Sequence, residues 1–429
     1  MKKLNLFKAT LFVALIALVG SCEDKMVTRR TYTAYTPVYM SYSQLRSAVK
    51  VSAKDQNVEL KQPGKIYFKD NYIFINELHK GIHVYDNSDT KNPKHHAFIE
   101  IPGNVDMAIK DNILYADSYV DLVAIDISNY NDLKEVSRVQ NVFPYTLPET
   151  DYQYAIAKLD EAKGVVLSWE VNEVTDTLEY NLDRYYFLNN NVDFALDAST
   201  VGTQEASSNG TGGSMARFII YQNSFYVLKS YELEVFDISM PNKFESVKKI
   251  SMNRVAETVF ISNGRLFVGT QTGMQIYDLQ NPEAPNFISD FNHVQSCDPV
   301  VVKGNLAYVT LRSGTTCGNV SNQLDVIDIS TITAPKLLKT YPMTSPHGLG
   351  ISTNNVLFVC DGDAGLKIYN ATDPLTISDN QIAVFPNINM FDVIPLPTVL
   401  LAIGGDGLYQ YDYSNLQNIT LLSKIEIND

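Results

Sequence analysis

The sequence predicts an all-β fold in which four-stranded antiparallel blades close into a ring, a β-propeller. Three observations predict it. A short strand ends in an acid, once in an asparagine, seven times: Asp86, Asp126, Asp237, Asp278, Asp328, Asn370 and Asp412. Most of the intervals between them are 40–42 residues, with one of 50 and one of 111, and a period of about 40–50 residues built from short strands marks a propeller. Turn chemistry recurs between β-branched and aromatic runs at matching places in the repeat, at Asp70-Asn71, Gln222-Asn223, Asn263-Gly264, Gly304-Asn305 and Asn354-Asn355. No long amphipathic helix pattern competes with this reading. Seven blades is the expected count, with eight as the alternative if the long interval holds one more.

From the N terminus, residues 1–21 read as a leader outside the fold. Lys2, Lys3 and Lys8 make a basic start, and Ala9 to Gly20 an apolar stretch too short to cross a bilayer as a mature helix. The run closes on Leu18-Val19-Gly20-Ser21-Cys22, which resembles the lipobox of bacterial lipoproteins. That resemblance implies acylation of Cys22, and more than one acyl chain gives stable membrane attachment. Glu23-Asp24 then resembles the surface-export signal of Bacteroidetes lipoproteins. An outer-membrane anchor with cell-surface display is therefore expected, the alternative being a protein that faces the periplasm. Residues 22–36 read as a tether, and residues 37–429 as a single propeller domain.

Residues 37–42 read as an extra strand able to pair with the last blade, whose outer strand is expected at 421–427. One helical turn is expected near 43–49. The second repeat shows the four strands most clearly, at 106–110, 113–117, 121–127 and 135–140. The acid that closes the third strand is read as structural: its carboxylate accepts a backbone N–H two residues on, and Asn370 can replace Asp because both side chains carry that acceptor. Between Asp126 and Asp237 lies an insertion, about 145–213. Its first part, 152–157 and 164–171, reads as a hairpin or a further blade. Its second part, 198–213, is rich in Ser, Thr and Gly and reads as a mobile loop.

The segments Gly81-Ile82-His83-Val84-Tyr85-Asp86, Leu122-Val123-Ala124-Ile125-Asp126, Leu324-Asp325-Val326-Ile327-Asp328 and Leu366-Lys367-Ile368-Tyr369-Asn370 resemble the LVIVD repeat of bacterial propeller lipoproteins. The resemblance runs from about residue 65 to 427. It implies a propeller with an envelope or surface role and is nearly silent about activity.

Formal net charge is −14, and loss of the three leader lysines takes it to −17. That balance argues against nucleic acid, which needs a basic surface, and against broad attraction to anionic headgroups. Cys297 and Cys317 flank a hairpin, so a disulfide between them is expected in an oxidising compartment, and Cys360 reads as a buried free thiol.

In a propeller the first strand of each blade, strand A, lines the central channel. The D–A connections and B–C loops share one face, the top. The 145–213 insertion, the 312–323 loop and Cys297 all fall there, which makes the top the candidate functional surface. Lys65, Asp106, Arg217, Glu257, Asp298, His347 and Asp392 open the inner strands and should form a polar ring of mixed charge at the channel mouth. Asp361 and Asp363 add two carboxylates; calcium is the cation such a pair would suit, although the rest of a calcium-loop spacing is missing. His347 is the best lone general base, but no nucleophile accompanies it and no catalytic residue is assigned. His95-His96 reads as surface. No phosphate-binding loop, zinc motif or nucleophile elbow occurs. The expected function is a lipid-anchored envelope or surface module that binds a protein or glycan partner through its top face, without a cofactor. The alternative is a metal-assisted hydrolase or oxidase at the channel mouth, drawing on Asp106, Glu257, Asp298, His347, Asp361 and Asp363.

Overall fold

The computed structural model describes residues 27–47, 50–52, 58–130, 132–179, 211–292, 299–313 and 322–427. Cys22, Cys297 and Cys317 lie outside the described residues, as does Asp298, so the expected lipidation and disulfide fall outside them too. Cys360 is buried and free.

Eight sheets form among the described residues. Seven repeat one pattern. In blade 1, strand A is Pro63–Lys69, B is Tyr72–Glu77, C is Gly81–Asp86 and D is Lys94–Glu100. Blades 2 to 7 follow at 107–139, 218–251, 256–292, 300–342, 349–385 and 390–426. Each blade is an antiparallel meander of consecutive strands. The seven A strands neighbour one another in order, and that of blade 7 returns to that of blade 1, so the ring is closed.

The repeated acid does what its chemistry suggests. Asp86, Asp126, Asp237, Asp278, Asp328, Asn370 and Asp412 each accept the backbone N–H two residues on, at 2.8 to 3.1 Å. The residue after each acid donates its own N–H to a carbonyl at the A–B turn of the same blade, as Asn87 does to Asn71 and Ile329 to Asn305. The C–D turn is thus tied to the A–B turn. Every C–D pair also carries a register shift at the same place, between Val84 and Tyr85 in blade 1 and between Gln410 and Tyr411 in blade 7. A bulge there bends the outer strand and increases its twist. The A–B turns use residues at positive φ, including Asp70, Asp111, Gln222 and Asn355, which tight hairpins require.

No strand is exchanged to close the ring. The expected pairing of residues 37–42 with blade 7 is not what the structure shows, because the chain's own Thr420–Glu426 completes that blade. Blades 1 and 7 meet instead through buried Ile66, Ile73, Ile75, Ile394, Leu401 and Ile403. Two buried amides lock the seam: Asn87 Nδ2 donates to Gln410 Oε1 at 3.0 Å, and Gln410 Nε2 returns a bond to Asn87 Oδ1 at 2.6 Å. A short helix, Tyr42–Leu45, is capped reciprocally by Ser41 and Gln44. The strand Lys50–Ser52 adds to the outer edge of blade 1.

The eighth sheet belongs to a smaller compact unit formed by residues 27–40 and 147–179. Val27–Met40 pairs antiparallel with Val165–Glu179 along its length, and Ala155–Ile156 pairs parallel with Ala34 and Tyr35. Two expectations are corrected here. Residues 27–36 form a strand rather than a tether, and the first part of the insertion makes neither a self-contained hairpin nor a four-stranded blade. The physical reason is length: a strand of 15 residues finds its match in one of 14 far away in sequence.

Asp126→Ala should lower stability by about 1 kcal/mol at neutral pH, the worth of one such hydrogen bond, and Asp126→Asn should retain most of it. Bonds from Ser128 hold the Asp126 carboxyl below its ordinary range. Its contribution is therefore present above the unfolded-state pKa and lost as the pH falls through the folded one. Urea unfolding at pH 7 and at pH 2.5 should show a smaller Ala penalty at the second than at the first.

Candidate functional site

The inner edge of each A strand faces the axis with unpaired backbone groups, and burying such groups without partners is costly. Here the last residues of the long insertion supply the partners. Thr211 and Gly212 pair antiparallel with Phe68 and Tyr67 on the inner strand of blade 1, and Gly213 N–H donates to Ile66 O at 3.1 Å. The chain then crosses the ring. Ser214 N–H donates to Asp392 Oδ1 of blade 7 at 2.7 Å, and Ser214 Oγ accepts from Leu349 N–H of blade 6 at 2.7 Å. Lys65 Nζ donates to Met215 O at 2.8 Å, and Val259 N–H of blade 4 donates to Ala216 O at 3.0 Å. Arg217 N–H donates to Asp106 Oδ2, before blade 2, at 2.7 Å. Residues 211–217 are thus a strap across the channel mouth, with Gly213, Ser214, Met215 and Ala216 buried. The reading of 198–213 as a mobile loop does not extend to 211–213; residues 198–210 lie outside the described residues.

The predicted polar ring is partly assembled, for a different purpose. Lys65, Asp106 and Asp392 are buried and hold the strap. Arg217 is the strap's last residue; burial lowers its pKa, while the carboxylates of Asp106, Asp117 and Glu257 act in the opposite sense. Burial pushes the Asp392 carboxyl up to about 7, against the N–H bonds of Ser214 and Val393 and the charge of Lys65. Asp106 is raised by burial too. His347 is half-buried, its backbone N–H on Cys360 O at 2.7 Å and its carbonyl accepting from Thr310 Oγ1 at 2.7 Å.

Asp361 and Asp363 do not act as a pair. Asp361 is fully buried and accepts from Thr344 N–H, Ser345 N–H and Lys367 Nζ, whereas Asp363 is exposed. Among the described residues, no three His, Cys, Asp or Glu side chains stand close enough to hold a metal ion.

Two further acids share the job of Asp361, and the sequence reading missed them. Glu77 accepts the N–H groups of Lys61 and Gln62 at 2.9 and 3.1 Å. Asp117 accepts those of Val105 and Asp106 at 2.8 and 2.9 Å, and burial pushes its carboxyl up to about 7. Each acid stands at the end of strand B and fixes the segment that leads into strand A of its blade. The signal was an acid at a repeated place one strand before the recognised one. His95 also differs from its reading as surface: it is half-buried, 3.1 Å from fully buried His83 Nδ1. Burial lowers the His83 pKa to about 4.

With this geometry in hand, the comparisons with known proteins are consistent. Residues 296–343, which contain blade 5, match the LVIVD repeat. No curated protein matches the chain. Among solved structures, the WD40 domain of Pan2 from Neurospora crassa is 11% identical, with 88% of this chain and 96% of that one covered and a TM-score of 0.51. A protein from Lactobacillus plantarum is also 11% identical, with 85% and 97% covered and a TM-score of 0.51. Hsv2p from Kluyveromyces lactis is 12% identical, covering 86% and 100%, with a TM-score of 0.48. Identities this low speak to fold alone. The chain is a β-propeller carrying an LVIVD repeat, a repeat architecture suited to a binding or scaffold role.

Gly348 tests the fit of the strap. A Cβ there would stand 2.7 Å from Asp392 Oδ1, Phe391 O and Ser214 Oγ. Gly348→Ala should therefore cost about 2 kcal/mol, the usual scale of overpacking, read as a lower thermal midpoint with the β-sheet circular dichroism retained at 20 °C.

Proposed function

We propose that this protein is a lipid-anchored β-propeller of the bacterial envelope that acts as a binding scaffold for a protein or glycan partner through its elaborated top face. The observation that carries the reading is the strap. Lys65, Asp106 and Asp392 at the channel mouth bind the chain's own backbone, so they are committed to structure, and the long connection is the remaining elaboration of the chain. This favours a binding module over the alternative of a metal-assisted hydrolase or oxidase at the channel mouth. The leader, Cys22 and the acidic pair after it support an outer-membrane anchor with display at the cell surface.

The connection also offers a contact surface. In the three-stranded sheet, Ile156, Tyr35 and Val171 are cross-strand neighbours in one row. Tyr154 meets the Tyr35 ring edge-on at 5.6 Å, and Trp169 lies 6.5 Å from it. Tyr152, Tyr154, Ile156 and Val171 are exposed. Tyr and Trp carry much of the binding energy where proteins meet partners, and Trp169 is the only tryptophan of the chain.

Two measurements check this reading. Cys22→Ala should move the protein from the membrane fraction to the soluble fraction of cells, and the parent should be shaved from intact cells by added protease; a parent that fractionates as soluble contradicts the anchor. A photo-crosslinking residue at Tyr154 or Val171 should capture a discrete partner on intact cells, and one at Lys248, on the outer strand of blade 3, should not. Equal labelling from all three positions contradicts the proposed surface.

A further inference from the structure

The strap is held by a carboxyl whose burial favours its neutral form over the combined pull of the donors around it. Asp392 is fully buried. Its Oδ1 accepts two N–H groups, from Ser214 at 2.7 Å and from Val393 at 2.9 Å. Its Oδ2 is buried and finds no hydrogen-bond partner among the described residues. Nor is there room for one to move in, because the backbones of Gly213 and Gly348 press on the carboxyl so closely that a Cβ on either would overlap it. An unpartnered oxygen costs a neutral acid less in such a place than it costs a carboxylate.

The groups that face Asp392 only partly offset its burial. From blade 1 comes Lys65, whose ammonium donates to Met215 O at 2.8 Å and is shared with buried Asp106. From strand B of blade 6 comes the Cys360 thiol, which burial and the charges of Asp392 and Asp361 all keep protonated. The strap itself contributes Ser214, whose N–H donates to Asp392 and whose hydroxyl accepts from Leu349 N–H and also favours the ionised form of Asp392. Lifting the strap would take Gly213 off the carboxyl and bring water to Oδ2. The ring has no such dependence at its seam, where the amides of Asn87 and Gln410 and aliphatic side chains hold blades 1 and 7 together.

We propose that residues 211–217 form a pH-responsive latch on the channel mouth, locked while Asp392 is neutral and loosened as Asp392 ionises, with the seven-bladed ring staying closed throughout. The sign follows from linkage. Asp392 has its folded-state pKa raised to about 7. Its contribution to the latched state is then complete below its ordinary carboxylate pKa and is lost as the pH rises through about 7. Across that window the open population should grow by up to about tenfold per pH unit, one proton being released on opening, and level off above it.

Hydrogen exchange of the purified full chain between pH 5 and 8, corrected for intrinsic rates, tests this. Peptides covering 211–217 should lose protection progressively up to about pH 7, while peptides from strands B and C of blades 1 and 7 should not. Asp392→Asn keeps an acceptor for both N–H groups and cannot ionise, so its strap protection should be flat across the range. Lys65→Met withdraws the nearest cation and makes ionisation harder, so its loss of protection should continue to higher pH than in the parent. A parent strap whose corrected protection is constant from pH 5 to 8 overturns the proposal. So does an Asp392→Asn protein whose strap loosens as the parent's does. Should Asp392→Asn fail to fold, an unshifted profile in Lys65→Met overturns it equally. The inference does not rest on the identity of any partner, and the capture experiment above leaves it untouched.

Discussion

A ring of seven sheets leaves a gap on its axis, and the rest of the molecule depends on how that gap is satisfied. Each blade pairs its inner strand on one side only. The other edge presents N–H and C=O groups to the axis. This chain brings a piece of itself back into the gap. Gly212 and Gly213 let the strap approach the inner strand of blade 1 without side chains in the way. Ser214 then donates to blade 7, and Ser214, Met215 and Ala216 accept from blades 6, 1 and 4 in turn. Placing six to seven residues so costs conformational entropy. What offsets it is the burial of Met215 and Ala216 and the pairing of backbone groups that would otherwise be stranded.

One side-chain type performs two opposite electrostatic tasks around this frame. The aspartates that close strand C stand near the surface. There, hydrogen bonds from the turn they organise hold the carboxyls of Asp86, Asp126, Asp328 and Asp412 low, and they are ionised at neutral pH. The acids that hold the D–A connections and the strap are deep. Burial dominates at Asp117, Asp106 and Asp392, and pushes their carboxyls up despite comparable N–H bonds. Glu77 falls between the two: burial pushes its carboxyl up, but the hydrogen bond from Lys80, the N–H groups of Lys61 and Gln62 and the charge of Lys80 together hold it below its ordinary value. Hydrogen bonds are accepted in all these cases; the depth of burial set against them decides the sign.

The long connection between blades 2 and 3 joins these themes to function. It begins by adding strands that pair with the N-terminal strand in a separate compact unit, and it ends as the strap. Its exposed aromatic and aliphatic side chains are of the kind that partners bind, while its last residues take up the polar groups a small ligand would otherwise have found. A scaffold reading accounts for both ends of this segment.

The blades were legible in the sequence because every one of them is made from consecutive residues and local chemistry. An Asp or Asn two residues before a Ser or Thr, a turn that needs positive φ, and a run of alternating or continuous apolar residues all act within about 40 residues of one another. Propensity and pattern can therefore specify them without knowledge of the ring. The seam between Asn87 and Gln410, the pairing of residues 27–40 with 165–179, and the strap held by Lys65, Asp106 and Asp392 were decided only in the tertiary structure. Their partners are separated by up to 323 residues, and no local preference encodes such meetings. The sequence named Asp106 and Asp392 as residues of the channel mouth. That they would bind the chain itself depended on where a distant Gly-Ser segment came to rest.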